Sequence, residues 1–368
     1  MGAVARELAK SHQVTVLTSR SGELRAESMD GEVRVVRVPV FFRRELPVAN
    51  VLSMLAYLPA GALRGLLMRP ARSFDVINTH FVVPTGPVGH LLSAFSGVRN
   101  VLSVHGGDLY DPSKKLSPHR HRWLRAPIAA MLRSADSVVG QSRDTIARVR
   151  SLYGVTRPVE LIPLAIERPP RIRDGGRAQF GIPADAFVLA SVGRLVPRKN
   201  TQQLVELLTD KGLSNAHLLI VGEGPASRAI REAAQARGVS DRVHLVGALN
   251  DKDKFAALGA ADLFVSTSQH EGFGLMFLEA LACGLPIVCY DSGGQTDFLT
   301  SGITGHVVPL NNIESFARAV IDLQGSREKR ERIAAQNLAR AEGYFVDRCA
   351  QRYEELFENV AALRPAMS

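Results

Sequence analysis

With 368 residues, 46% of them hydrophobic and 22% charged, the chain is too long for one ordinary core and too apolar for a disordered one, so two globular domains are expected. Three scattered cysteines (Cys283, Cys289 and Cys349) exclude a disulfide framework and a cysteine-based zinc cluster, and read as small buried hydrophobes of a reducing cytoplasm. The net charge of +9 is uneven: residues 1–170 hold 23 Lys and Arg against 13 Asp and Glu, residues 171–368 hold 22 against 23, so the first half either meets an anionic partner or carries a solvated basic face.

In chain order, Met1-Gly2-Ala3-Val4 opens on a helical pattern, with no secretory leader read there. The first strand pattern is Val14–Thr18. A doubly wound sheet starts with a strand that lies centrally in its order, so a further strand and its turn are expected ahead of Met1. Val33–Val38 follows, then Phe41-Phe42-Arg43-Arg44 and an apolar run over Val48–Met68 interrupted by Asn50, Ser53 and Arg64. That run approaches a membrane-spanning length, but Pro47, Pro59 and Gly61 break it. It predicts a helix that either rests on a bilayer or packs on its own sheet.

Strands Phe74–Thr79, Asn100–Val104, Ser137–Gly140 and Val159–Ile162 alternate with helices such as Ile128–Arg133 and Arg143–Leu152. Pro163–Gly176, rich in Pro, Arg and Gly, reads as a linker. A second series follows at Val188–Val192, His217–Val221, Val243–Val246, Leu263–Ser266 and Ile287–Tyr290, closed by helices near 312–324, 327–341 and 345–362. Alternation of this kind is α/β. It predicts two Rossmann-like doubly wound domains facing a central cleft: 1–165, 166–344, and a C-terminal helix 345–368 crossing back to the first. Ligands of such sheets sit at the carboxyl ends of the strands.

The chemistry concentrates at those ends. Gly193 and Arg194 follow a strand, with Lys199 beyond; a guanidinium fork and an ammonium point charge suit phosphate oxygens. Glu271 precedes Gly272-Phe273-Gly274-Leu275, which opens an apolar helix carrying Glu279. A helix start offers unpaired N–H groups to an anion, and glycines let a ligand approach the backbone. A carboxylate can accept from a hydroxyl pair. His105 follows the strand Val101–Val104 and precedes Gly106-Gly107-Asp108; Asp108 either contacts an acceptor or caps the local turn.

The set Gly193-Arg194 with Lys199-Asn200, Val221-Gly222-Glu223-Gly224-Pro225, Val243–Gly247, Glu271 to Leu275 with Glu279-Ala280, Ala282-Cys283-Gly284-Leu285-Pro286, Gly293-Gly294 and Gly302-Ile303-Thr304-Gly305 resembles, in this order and spacing, the retaining glycosyltransferases of the GT-B fold, family 4. The resemblance covers nearly the whole chain. It implies that Arg194 and Lys199 hold the diphosphate of a nucleotide sugar and stabilise it as leaving group, that Glu271 accepts from a hydroxyl of the donor sugar, and that Glu279 grips the ribose diol. It implies contact of His105 with the donor sugar and the reacting centre. Gly2 matches the second glycine of the family's first loop, which approaches the phosphates. Gly222, Gly224, Gly247 and Leu249 fall in the loops that sandwich the base through backbone groups, leaving uracil and guanine undistinguished.

Asp251-Lys252-Asp253 matches a D-x-D metal pattern but sits at a helix start, where Asp is favoured, so neither metal nor other cofactor is expected. The basic first half then points to a lipid-linked or anionic acceptor, a cytoplasmic enzyme at the inner face of the plasma membrane, and cell-surface glycan or exopolysaccharide assembly. Neutralising Arg43, Arg44 and Arg64 is expected to weaken liposome binding. Aromatic content of 6% and the lack of a recognition motif count against nucleic acid. The rivals are a nucleotide-sugar 2-epimerase of the same fold and a non-enzymatic basic membrane- or nucleic-acid-binding protein.

Overall fold

The computed structural model describes residues 1–41, 51–68, 74–112, 117–170 and 176–362; Arg43, Arg44 and the centre of the expected linker lie outside them. The chain forms two compact units, one made of Met1–Ala165 with the C-terminal segment from Val346, the other of Ile166–Phe345.

The first unit opens on α1 (Gly2–Leu8), followed by β1 (Thr15–Ser19), β2 (Glu27–Asp30) and β3 (Val33–Val38). β1 pairs with β3 in parallel and β2 with β3 antiparallel. The sequence reading missed β2. Its Glu27-Ser28-Met29-Asp30 has no apolar alternation because it is an edge strand exposed along nearly its whole length, turned back onto β3 at Gly31. Then come α2 (Val51–Leu67), β4 (Val76–His80), α3 (Thr85–Ser96), β5 (Arg99–Val104), β6 (Ser137–Gly140) and β7 (Glu160–Leu161).

Strands β4 to β7 make a second sheet, parallel and in sequential order. The first unit therefore holds two sheets where one was expected, since among the described residues no strand pairs β1 with β4. Helices bridge them instead. On α1, Val4 packs with Val101 and Val139 of the second sheet, and Ala5 and Ala9 with Val33 and Val35 of the first. Tyr57 of α2 joins Leu17 and Val38 to Val88 of α3, and its hydroxyl donates to the Leu17 carbonyl at 3.5 Å. The C-terminal helix Val346–Ala362 packs Val346, Cys349 and Tyr353 onto Val101 and Val139. Among the described residues no helix is long and apolar enough to cross a membrane; the apolar run folds as the 17-residue α2, with Pro59 inside it.

The second unit contains β8 (Phe187–Val192), β9 (Ala216–Val221), β10 (Val243–Leu245), β11 (Leu263–Ser266), β12 (Ile287–Tyr290) and β13 (Gly305–Val308). All pair in parallel, in the order β10-β9-β8-β11-β12-β13. Burial on both faces explains their continuous apolar runs. Leu189, Leu218, Val265 and Val288 pack with Phe316 and Ile333 on one side, and Val188, Leu219 and Ala257 cluster on the other. The order reverses direction between β8 and β11, which opens a crevice at their carboxyl ends.

Asn337, on the helix Arg327–Ala341, is wholly buried and donates from Nδ2 to the carbonyls of Leu285 and Thr304 at 2.8 and 3.2 Å. Asn337→Ala orphans the Leu285 carbonyl and leaves the Thr304 carbonyl with the Ile287 N–H as its donor, and is expected to destabilise the second unit by about 2 kcal/mol. Urea unfolding followed by fluorescence measures it; an unchanged midpoint contradicts this role.

Candidate active site

Three loops are laced together where the second unit's sheet reverses. Gly193 N–H donates to Val221 O at 2.9 Å, Gly222 N–H to Gly247 O at 2.7 Å, and Leu195 N–H to Glu223 O at 2.8 Å. A Cβ on Gly222 would lie 1.9 Å from Gly193 O, so only glycine lets these loops close on one another. Across the reversal, Glu271 follows β11, and its carbonyl accepts from Gly294 N–H at 2.8 Å. A Cβ on Gly293 would stand 2.0 Å from that same oxygen. The glycines thus fix backbone to backbone and hold the side chains between them.

Those side chains are charged. Lys199 Nζ donates to Glu271 Oε1 at 2.5 Å, and Arg198 Nη1 stands 3.7 Å from Oε2. Arg198 also donates to His270 O. Side-chain exposure is 15% for Lys199 and 8% for Glu271, so the pair is largely removed from water. Burial pushes the Glu271 carboxyl up, but Lys199 and Arg198 outweigh it and hold the group below the usual carboxylate range. Burial pulls Lys199 below the ordinary lysine value, with Glu271 acting against that and Arg198 and Arg194 with it. Arg194 is exposed, and its side chain has no hydrogen bond or ion pair among the described residues. A hollow lined by Gly193, Arg194, Lys199 and Ser266 lies between them.

Gly274 caps the helix Leu275–Ala282 in a left-handed conformation. Phe273 turns its ring into the core against Phe298, and Leu275 starts the helix half exposed. Leu249 packs its side chain with Val192 and Val246. One turn into the helix, Glu279 accepts from Lys254 Nζ at 2.7 Å, and Lys254 also donates to Asp251 at 2.8 Å. Burial raises the Glu279 carboxyl, with Lys254 opposing. The sequence reading missed Lys254 and Arg198. Lys254 had only a faint signal, three residues after Asp251 on the helix Asp251–Gly259, because its partner Glu279 is far along the chain. Asp251 and Asp253 lie in that helix's first turn, capped by Asn250, and among the described residues no group of three or more His, Cys, Asp or Glu is placed to hold a metal.

Gly2, His105 and Asp108 belong to the first unit, Gly2 at the start of α1. Asp108 Oδ2 accepts from Val82 N–H at 2.6 Å, bracing the turn between β4 and α3. His105 lies under Phe81, ring centroids 3.9 Å apart and nearly parallel. Phe81 holds φ at 71°, a strained value for a bulky residue.

A donor chain reaches His105 from the C-terminal helix. Tyr353 OH donates to Ser103 Oγ at 3.1 Å, and Ser103 Oγ to Asn78 Oδ1 at 2.9 Å. Asn78 Nδ2, 3.1 Å from His80 Nε2, therefore faces an acceptor, which leaves the His80 proton on Nδ1, 3.3 Å from His105 Nε2. His105 also faces the Gln141 Nε2 amide donor, 2.5 Å from its Nδ1 and 3.1 Å from its Nε2. Burial lowers His80 to about 4 and His105 well below 6.5, so both imidazoles are neutral at pH 7.

Comparison with known proteins gives the family of both units. The profile of Glycosyltransferase Family 4 matches residues 1–168, and that of Glycosyl transferases group 1 matches residues 173–340. The chain is 27% identical over 341 residues to the GDP-mannose-dependent alpha-(1-6)-phosphatidylinositol monomannoside mannosyltransferase of Mycolicibacterium smegmatis, covering 86% of this chain and 82% of that one. It is 26% identical over 319 residues to the UDP-Gal:alpha-D-GlcNAc-diphosphoundecaprenol alpha-1,3-galactosyltransferase of Escherichia coli, covering 84% and 79%. Its fold is similar to that of sucrose-phosphate synthase from Thermosynechococcus elongatus, with a TM-score of 0.80 at 21% identity over 98% of this chain and 92% of that one.

An unfolded histidine takes its proton near 6.5, whereas folded His80 resists until about 4. Between these values the unfolded state binds more protons, so stability falls as pH falls through that window. His80→Gln removes this term. Melting curves from pH 7 to pH 4.5 are expected to show a smaller loss of Tm for the variant than for the wild type; equal losses contradict the assignment.

Proposed function

This chain belongs to the glycosyltransferases of group 1 and family 4, and from that premise we propose that it moves a sugar from a nucleoside diphosphate, UDP or GDP, to an acceptor hydroxyl with retention at the anomeric carbon. The observation that carries the reading is the charge arrangement at the reversal of the second sheet. Arg194 is an exposed guanidinium with no hydrogen bond or ion pair among the described residues, and Lys199 is a largely buried ammonium whose partner is a carboxylate. A bound nucleotide sugar would satisfy each of them: phosphate oxygens for Arg194 and Lys199, a sugar hydroxyl donating to Glu271, and the ribose diol donating to Glu279, which Lys254 orients.

In the reaction the bond from the anomeric carbon to the phosphate oxygen breaks while the acceptor oxygen bonds to that carbon on the same face. The acceptor's proton passes to the departing phosphate oxygen, so no side chain serves as base. Negative charge grows on the diphosphate as it leaves, where two fixed cations lower the barrier without reorganisation. With Arg194 and Lys199 supplying that charge, no metal is needed. For His105 we keep the role the resemblance implies, contact with the transferred sugar; its neutral imidazole contributes a hydrogen bond rather than a charge. The Asp108 bond to Val82 supports its reading as the residue that holds the turn.

The acceptor is read as lipid-linked or anionic, met by the basic first unit at the inner face of the plasma membrane, in cell-surface glycan assembly. The relatives support this, since one name specifies a phosphatidylinositol mannoside acceptor and another a sugar on diphosphoundecaprenol. Both are transferases, whereas an epimerase would release an isomerised sugar nucleotide with no acceptor.

Thermal-shift titration with UDP, GDP and ADP is expected to single out one nucleoside diphosphate. With that donor, Lys199→Ala is expected to cut kcat by about 100-fold or more with little change in donor KM. Glu279→Ala should instead weaken nucleotide binding by about tenfold, the loss of one charged hydrogen bond. Full turnover in Lys199→Ala would refute the leaving-group role, and a product of inverted anomeric configuration by proton NMR would refute retention.

A further inference from the structure

Phe81 holds a backbone conformation that its own side chain opposes. Among the described residues the other non-glycine positions with positive φ, Asn200 and Asn311, are asparagines, which tolerate that region. A bulky residue stays there only where its surroundings over-determine it. Phe81 N–H donates to Ser103 O at 3.0 Å, Thr85 Oγ1 donates to the Phe81 carbonyl at 2.7 Å, and the next N–H, of Val82, is the one that Asp108 holds. Val82 is wholly buried in the core of the unit. With Val82 turned in, Phe81 turns out and is 43% exposed just past the carboxyl end of β4. The turn itself has no need of that ring, since an asparagine would make it with less strain.

One face of the ring is covered by His105. The exposed surface therefore belongs to its outer face and edge. Burial keeps His105 neutral, so the imidazole puts no positive charge beneath the ring, and the outer face stays electron-rich. A pyranose chair presents to such a plane a face of C–H bonds polarised by the oxygens on neighbouring carbons. A phosphate is repelled by the same plane, and a flexible alkyl chain has no use for a rigid one. We propose that Phe81 is a platform on which a sugar ring of the acceptor stacks, so that the attacking hydroxyl belongs to a pyranose held beside His105. The proposal rests on the transferase reading and adds to it the class of group that bears the hydroxyl. Phe81 acts as a positioning residue and takes no part in bond making.

The test is saturation-transfer NMR on the full chain with the methyl glycosides of mannose, glucose, galactose and N-acetylglucosamine, and with glycerol phosphate as a phosphate that has no ring. At least one glycoside is expected to receive saturation on its ring protons. Phe81→Asn is expected to weaken the Kd of that glycoside by about tenfold, and Phe81→Trp, which restores an aromatic plane, to keep it. Because asparagine suits the left-handed backbone, Phe81→Asn should not lower Tm, and it should keep the wild-type shift with nucleoside diphosphate. Glycoside binding lost together with Tm makes Phe81 a structural residue and overturns the proposal. It is equally overturned by a wild type that binds no glycoside, by equal binding in Phe81→Asn, or by Phe81-dependent binding of glycerol phosphate alone. A wild type that binds a glycoside but shifts with no nucleoside diphosphate fails the transferase reading instead.

Discussion

Everything at the candidate site depends on one ion pair, Lys199 with Glu271, held where water barely reaches. Taking two ions out of water costs several kcal/mol each even after relaxation. Such a pair persists only if the backbone holds both partners in place. Here it does: the loop bearing Lys199 is tied through Gly193 and Leu195 to the loops after β9, and Glu271 is tied through its carbonyl to Gly294. The pair is also poised for exchange, because a phosphate can replace the carboxylate at Lys199 and a hydroxyl can replace the ammonium at Glu271. Arg194 needs no exchange, being open to solvent from the start.

The first unit solves a different problem. His105 sits among groups that keep it neutral, and a run of donors beginning at Tyr353, a residue of the C-terminal helix, reaches it through His80. The helix closes the core of that unit with its apolar face while its Tyr hydroxyl reaches a polar network inside. Fold and site chemistry therefore share one element. The same unit turns leucines of α2 outward and packs the helix through Ser53, Tyr57, Gly61 and Gly65.

The second unit was the more legible in the sequence. Its strands β8, β9, β11 and β12 are buried on both faces and therefore read as uninterrupted apolar runs, and its glycines fall where one backbone must touch another. Elements whose register depends on partners elsewhere were harder. β2 is exposed, with no apolar pattern to announce it, and β13 hides behind the turn Gly302–Gly305. The two-sheet arrangement of the first unit depends on which strands pair, which no local pattern records. At the site, Arg194, Lys199 and Glu271 could be picked out because each lies at a strand or helix end, and Glu279 because it sits one turn beyond the glycine-rich start of its helix. Their mutual pairing could not, since Lys199 and Glu271 are 72 residues apart and Lys254 and Glu279 are 25 apart. The inside-out character of α2 was equally hidden, because an apolar run does not say which of its faces turns inward.

The account stands or falls on where the diphosphate binds. A crystal structure of the full chain with its preferred nucleoside diphosphate should place phosphate oxygens within hydrogen-bonding distance of Arg194 and Lys199, with the Lys199 to Glu271 contact opened. A diphosphate bound elsewhere, with that ion pair intact, would contradict it.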